Sequence, residues 1–478
     1  MKRVATAVVL LAALAIGAAA AQGSRSPQSV AATPVKLTIW VPWTARELNE
    51  FKKVVAEYDK ARPNVEVKVV GNISDDKITA AIRAGNAPDV VTSWSSDNVG
   101  AYCGSGAWMN LGPMLRRAKI DMNQFPATTR YYTQYKGKRC ALPLLADVRG
   151  FYYNKDLFRK AGLSGPPKTF AQLTEYAKKL TQRNADGSLK VVGFNPTLGF
   201  YQNTMTAFAP LFGAKWTDAK GNSNLSKDPA WTKFFRWQKS LIDYYGYNRL
   251  VKFNAGAGDE WAAANAFESG KLAMHLDGEW RVAFIANEKP NMEYGTAPMP
   301  TDKAGLYGSG YITGTIIGIP KGAKKVTHSW LLVRYLTTNS KALAMFSNAI
   351  RNVPTTKRSL THPDLKPDPN FATFLKIFNH PRSATHPITA TGAAYQELAA
   401  SFFAASSFFV PLWMAKASRS QPRPSFGNTR SIGAPFALLV LPRYSNEMPI
   451  TNSPVEAWLH GLEPEWVYMA MFSCSLSM

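Results

Sequence analysis

Apolar positions near the start of the chain change period at short intervals. Lys36 to Val41 reads as a short apolar strand. Leu48, Phe51, Val55 and Tyr58 then recur at helical spacing until Arg62-Pro63-Asn64 breaks the run. Ahead of them Thr44-x-x-Glu47 has the form of a capping box, in which a hydroxyl and a carboxylate satisfy free N–H groups at a helix start. Val65, Val67 and Val69 alternate as a half-buried strand, and a second helix is predicted from Asp75 to Ala84 with a stop at Gly85. Val90 to Trp94 supplies a third strand. Strand–helix–strand–helix–strand with short connections implies an α/β lobe with parallel pairings. Ligands of such sheets sit outside the carboxyl ends of strands, where Trp43, Trp94 and Asp97 fall.

The stretch Leu142 to Phe158 organises the middle of the chain. Its second half alternates through Phe151, Tyr152 and Tyr153, reaches a helix start at Asn154, and the helix stops at Gly162. Asp147 and Arg149 are charges inside an apolar run. They read either as a satisfied pair on an edge strand or as the floor of a cleft crossed by the strand. Thr169-x-x-Gln172 is a second capping box, before the stripe Phe170, Leu173, Tyr176, Ala177 and Leu180. Gly193 to Tyr201 reads as a loop bearing Phe200 and Tyr201. Trp231, Phe234, Phe235, Trp237, Leu241 and Ile242 form a broad amphipathic helix whose aromatics read as core. Phe267 to Trp280 reads as helix, glycine stop, buried strand and charged turn. Asp277 and Glu279 are two apart and would share one strand face, so one of them is expected to reach a ligand. A strand at Thr315–Ile319 and helices at Lys324–Thr338 and Ser340–Asn348 follow.

Three of these segments carry a family resemblance. Tyr-Tyr-Asn-Lys-Asp-Leu-Phe at 152–158, Gly-Asn-Ala-Pro-Asp-Val-Val at 85–91, and Phe-x-x-Gly-Lys-x-Ala-Met followed by Gly-x-Trp at 267–280 resemble the family 1 extracellular solute-binding proteins of ABC importers, the group that includes maltose-binding proteins. The resemblance covers roughly Lys36 to Glu397. It implies an α/β, two-lobe periplasmic-binding-protein fold, type II-like, with discontinuous lobes joined by three crossings at a hinge. The first lobe would comprise 35–146 and 306–350, the second 147–305 and 351–397. It also implies capture of a carbohydrate between the lobes and delivery to an ABC permease, by a monomer that meets the membrane only through that permease. No catalytic residue, cofactor, metal or nucleic acid is expected. Aromatic rings stack on the apolar faces of sugars, while carboxylates, arginines and amides pair with hydroxyls. On that chemistry the candidates are Trp43, Trp94, Asp97 and Tyr311 from the first lobe and Tyr201, Trp261, Glu279 and Trp280 from the second. Asp147 and Arg351 join them at crossings. The Gly-x-Trp signature puts Trp280 first. Rival readings are a glycoside hydrolase-like secreted enzyme, for which no second carboxylate is placed opposite Glu279, and a binder of a different small solute, an anionic one included.

Charge and cysteine change this picture only at its edges. The formal net charge is +24 over 478 residues. There is no Lys/Arg run and no nucleic-acid motif, so the excess reads as solvation or attraction to an anionic envelope, and it leaves an anionic ligand open. Lys2 and Arg3, the apolar run Val4–Ala21 and Ala19-Ala20-Ala21 before Gln22 read as a signal peptide over 1–21, with a retained membrane anchor as the alternative. No cysteine lies near the cleavage site. The expectation is therefore an exported, non-lipidated protein of the periplasm or outer membrane face, which departs from the family's lipoprotein pattern. Residues 22–34 read as a linker. Of three cysteines, Cys103 and Cys140 form either a disulfide or two buried thiols, leaving Cys474 odd. Residues 398–478 form an atypical tail, without Asp and with Lys416 as its one Lys. It reads as an out-of-frame or mispredicted end, a genuine appendage, or a membrane-surface segment.

Overall fold

Val35–Trp40 (β1), Ala45–Lys60 (α1), Val65–Val70 (β2), Asp75–Arg83 (α2) and Val90–Ser93 (β3) alternate as the periodicity predicts. The computed structural model describes residues 33–220, 222–394 and 399. The signal segment, most of the linker, Cys474 and nearly all of the tail lie outside the described residues. β1 lies parallel to β2 on one side and to β3 on the other. α1 buries Phe51, Val54, Val55 and Tyr58 beneath them. Gly85, at φ 73°, turns the chain out of α2 in the left-handed region that a glycine enters without cost from a Cβ.

Val99–Ser105 (α3), Gly112–Arg117 (α4) and Ala127–Tyr131 (α5) lead to Leu142–Asn154 (β4). Beyond it come Lys155–Lys160 (α6), Phe170–Leu180 (α7), Gln182–Arg183 (β5), Leu189–Phe194 (β6), Met205–Phe212 (α8), Pro229–Tyr245 (α9), Tyr247–Ala255 (α10), Leu272–Gly278 (β7), Arg281–Glu288 (α11) and Tyr294–Ala297 (β8). Ile312–Gly318 (β9), Val326–Thr338 (α12), Ser340–Ile350 (α13), Val353–Pro354 (β10), Lys357–Leu360 (α14) and Pro369–Asn379 (α15) complete the described elements. The strand order is β2-β1-β3-β9-β4-β7-β6-β5, with β8 and β10 also paired to β4.

β4 is where the molecule changes from one half to the other. Its residues Leu142–Val148 pair with β9, and Leu145 and Ala146 also with β10. From Arg149 onward its partners are β7 and β8. The first half packs α1, α12 and α13 around Leu37, Ile39, Phe51, Leu332 and Phe346. The second packs α7, α8 and α9 around Phe151, Phe194, Phe208 and Phe234. Trp231, Phe234 and Leu241 of α9 are buried, while Phe235, Trp237 and Ile242 pack partly buried on the same cluster. Cys103 of α3 and Cys140 ahead of β4 are bonded, with Cα atoms 5.6 Å apart.

Local signals are realised unevenly. Asn154 caps α6 by accepting from Leu157 N at 3.0 Å, and the Thr169–Gln172 capping box is fully formed. The Thr44–Glu47 box is not: Thr44 makes no side-chain cap bond, and Ala45 stands at φ 42°. β6 also runs to Phe194, into the stretch read as loop, and Gly193 lets it approach α7, because a Cβ there would fall 2.0 Å from Ala177 O. Residues 267–270, read as the end of a helix, form turns. No described helix is long and apolar enough to cross a membrane.

Candidate ligand-binding site

The changeover residues Asp147, Val148 and Arg149 lie beneath a cavity of ≈ 570 Å³. Both halves line it. Trp43 to Glu47 at the entry to α1, Trp94 after β3, Thr315 of β9 and Asn352 before β10 come from one side. Gln202, Trp261, Trp280, Phe284 and Glu288 come from the other, with Asp147 and Arg149 between.

A glycine places the innermost aromatic ring. The Trp280 ring lies so close to Gly278 that a Cβ there would fall 2.3 Å from it. The Arg149 guanidinium covers that ring 4.5 Å from its centre. Trp261 stands 6.3 Å from Trp280 and 5.7 Å from Phe284. Trp94 is 54% and Trp261 47% exposed, so both offer open aromatic faces at the cavity. Trp43 is different: it borders the cavity but packs into the first-half core against Phe51 and Phe346, at 5.0 and 5.1 Å.

Charged groups are held from behind. Arg281 is sealed beneath the aromatics, with Asp277 Oδ2 at 2.7 Å, Glu268 Oε1 at 3.2 Å and Glu260 Oε1 at 3.7 Å. Its guanidinium centre lies 5.7 Å from the Trp261 ring and 5.2 Å from Phe284. Burial, then the charge of Asp277, pushes Glu260 up to about 7, and its Oε1 accepts from Gln202 Nε2 at 2.7 Å. Burial pushes Glu47 up to about 7, opposed by Arg46 and reinforced by Asp147. Burial likewise pushes Asp147 up to about 6, against the pull of Arg149 and the Asn352 amide.

Of the residues singled out from sequence, Trp43, Trp94, Asp147, Trp261 and Trp280 line the cavity. The other five do not. Asp97 turns to His386 Nδ1, 2.9 Å away. The Tyr201 hydroxyl donates to Ala257 O at 2.8 Å and accepts from Ala266 N at 2.9 Å. Glu279 is sealed under the floor, and Tyr311 is buried beside His386. Arg351 ends α13 at φ 61° and pairs with Asp368 at 3.3 Å. Asp277 and Glu279 are both fully buried, Asp277 held by Arg281 and Glu279 by Val148 N and Asn352 Nδ2, and β7 ends between them. Several missed residues adjoin a named one: Gln202 follows Tyr201, Asn352 follows Arg351, and Phe284 lies one helical turn beyond Trp280. Glu47 was hidden by its resemblance to a cap.

Residues 53–373 match the profile of bacterial extracellular solute-binding proteins. The chain is 24% identical over 350 residues to a maltotriose-binding protein of Pyrococcus abyssi, covering 72% of each chain. It is 26% identical over 391 residues to a maltooligosaccharide ABC transporter solute-binding lipoprotein of Streptococcus pneumoniae, covering 78% of this chain and 84% of that one. Among solved structures, CpMnBP1 with mannobiose bound superposes with a TM-score of 0.72 at 28% identity, over 80% of this chain and 98% of that one. The GacH receptor of Streptomyces glaucescens superposes with a TM-score of 0.62 at 21% identity, over 78% and 92%, a likeness of fold. The likeness is to two-lobe sugar-binding protein folds.

Proposed function

The chain belongs to the bacterial extracellular solute-binding proteins, and on that premise we propose that it captures a carbohydrate in the cavity over β4 and hands it to an ABC import permease. One observation carries the reading: open tryptophan faces and buried polar groups converge on one cavity from both halves. Trp94, Trp261 and Trp280 stack on the CH faces of the sugar rings. Asp147 and Glu47 accept from hydroxyls, and Arg149 and Gln202 donate to them. The relatives support the same ligand class, being described as maltotriose- and maltooligosaccharide-binding, and CpMnBP1 holds mannobiose. The lobes divide at 146/147, 305/306 and 350/351, and they close over the ligand about β4 as a monomer that meets the membrane through the permease.

The protein binds without chemistry. Glu279 is sealed beneath the floor, so the carboxyls that line the cavity are Asp147, Glu47 and Glu288, and the non-enzymatic reading is supported by relatives described as binding proteins. A thermal-shift and calorimetric screen of the full chain over malto- and mannooligosaccharides, polyols and sugar acids tests the reading. A sugar at 100 times its dissociation constant should add about 2.7 kcal/mol to stability. Silence across all sugars, or release of shorter sugars from an oligosaccharide, would overturn it.

A further inference from the structure

Two buried carboxyls meet at one nitrogen beneath the cavity. Asn352 Nδ2 donates to Asp147 Oδ1 at 2.6 Å and to Glu279 Oε1 at 3.1 Å. The two carboxyls are therefore no farther apart than those two bonds laid end to end. Glu279 Oε2 accepts from Val148 N at 2.6 Å. Asp147 is 6% and Glu279 0% exposed. The three side chains come from three passages of the chain: the β4 changeover, the end of β7, and the link from α13 to β10.

One counter-charge reaches the pair without bonding to it. Arg149 favours ionisation of both carboxyls, but its guanidinium lies over Trp280, and no hydrogen bond from it to either carboxyl is found among the described residues. Tyr132, after α5, gives its hydroxyl proton to Leu145 O at 3.5 Å, and Tyr152 of β4 gives its own to Gly278 O at 2.7 Å. From α1, Glu47 adds a further carboxyl beside Asp147, and Arg46 opposes it. Two carboxylates this close, one sealed and the other nearly so, disfavour each other's ionisation, so one proton stays with the pair.

We propose that Asp147, Glu279 and Asn352 form a proton-holding knot at the hinge, in which the two carboxyls keep one proton between them and Asn352 ties the three passages together. Burial, then the charge of Asp147, holds the Glu279 carboxyl well above the usual carboxylate range. The inference concerns the hinge; Asp147 and Asn352 also line the cavity, so it is tested without ligand. Its consequence for stability has a definite sign. A carboxyl with a raised folded pKa stabilises fully below its unfolded value, and that contribution is lost as pH rises through the folded value. A glutamine at this position cannot titrate, and its one acceptor oxygen serves Val148 N or Asn352 Nδ2 but not both.

The test uses the full chain without ligand. Relative to the parent, the melting temperature of Glu279→Gln should rise by at least about 2 °C between about pH 5 and pH 8. Parent-minus-E279Q infrared difference spectra near neutral pH should show one protonated-carboxyl band. Parallel melting curves with no such band would overturn the proposal. Should Glu279→Gln not fold, Asp147→Asn serves in its place. Removing the partner charge should make the protonated-carboxyl band titrate away at lower pH than in the parent, and an unmoved titration would overturn the proposal equally.

Discussion

Gly278 and Trp280 act as a unit, and the sugar reading stands or falls on that ring. Trp280→Ala should weaken sugar binding by about 1–3 kcal/mol, the range for a buried aromatic anchor with a stacking contribution. Normal affinity by titration calorimetry would put the site elsewhere. Gly278→Ala leaves the ring chemistry intact but drives a methyl into it, so it should lose affinity in the same direction. The two capping boxes give a sharper contrast. Thr169 accepts from Gln172 N at 3.2 Å, and Thr169→Ala should cost about 1 kcal/mol in denaturant melts. Thr44→Ala should stay within about 0.5 kcal/mol, since Thr44 caps nothing. Both boxes read alike in sequence. What separates them is tertiary: the Glu47 carboxyl is drawn to the cavity beside Arg46 and Asp147, a competition that residue spacing does not display. Trp280 was legible through the Gly-x-Trp signature and Trp94 through its place after a strand, whereas Trp43, at a similar place, also packs into the core. Asn352 and Gln202 were not, because an amide takes its role from partners far along the chain.

At the scale of elements, the alternating half of β4 was readable and the other half needed its context. Leu142–Val148 is buried at every position, with β9 and β10 paired along its edges, which erases the alternation that marks a half-exposed strand. The helix expected to end at Gly270 failed for a local reason. Asn265 Oδ1 takes the backbone N–H groups of Phe267 and Glu268, both at 3.0 Å, and such side-chain bonds compete with a helix. The α9 aromatics behave as packing. Trp237 sits 4.6 Å from Phe170 and donates to Thr174 Oγ1 at 3.0 Å. Trp237→Ala should therefore cost about 3 kcal/mol of stability and leave sugar affinity unchanged. The Cys103–Cys140 bond closes a separation of 37 residues, and replacing both cysteines by alanine should remove roughly 3–4 kcal/mol in the chain-entropy picture. Peptide mapping without reductant should recover the two as one linked fragment. Recovery of both as free, alkylated thiols would contradict the bond.

For the whole molecule, two lobes sharing one strand should draw together when the cavity fills. Small-angle scattering with a saturating sugar should report a smaller radius of gyration than without it. An unchanged value at saturation would count against closure. The shared strand also constrains how the chain can assemble. Every described strand that pairs with Leu142–Val148 lies beyond residue 311, and β9 also supplies the second neighbour of β3. A polypeptide emerging from its N-terminus therefore carries two unfinished sheet edges from residue 148 to residue 312, about a third of its 478 residues. Pairings so distant in sequence close slowly, since loop entropy must be overcome before they form. The nascent chain stays open-edged until β9 slides between β3 and β4, and that late insertion is the step at which the first lobe becomes a finished sheet.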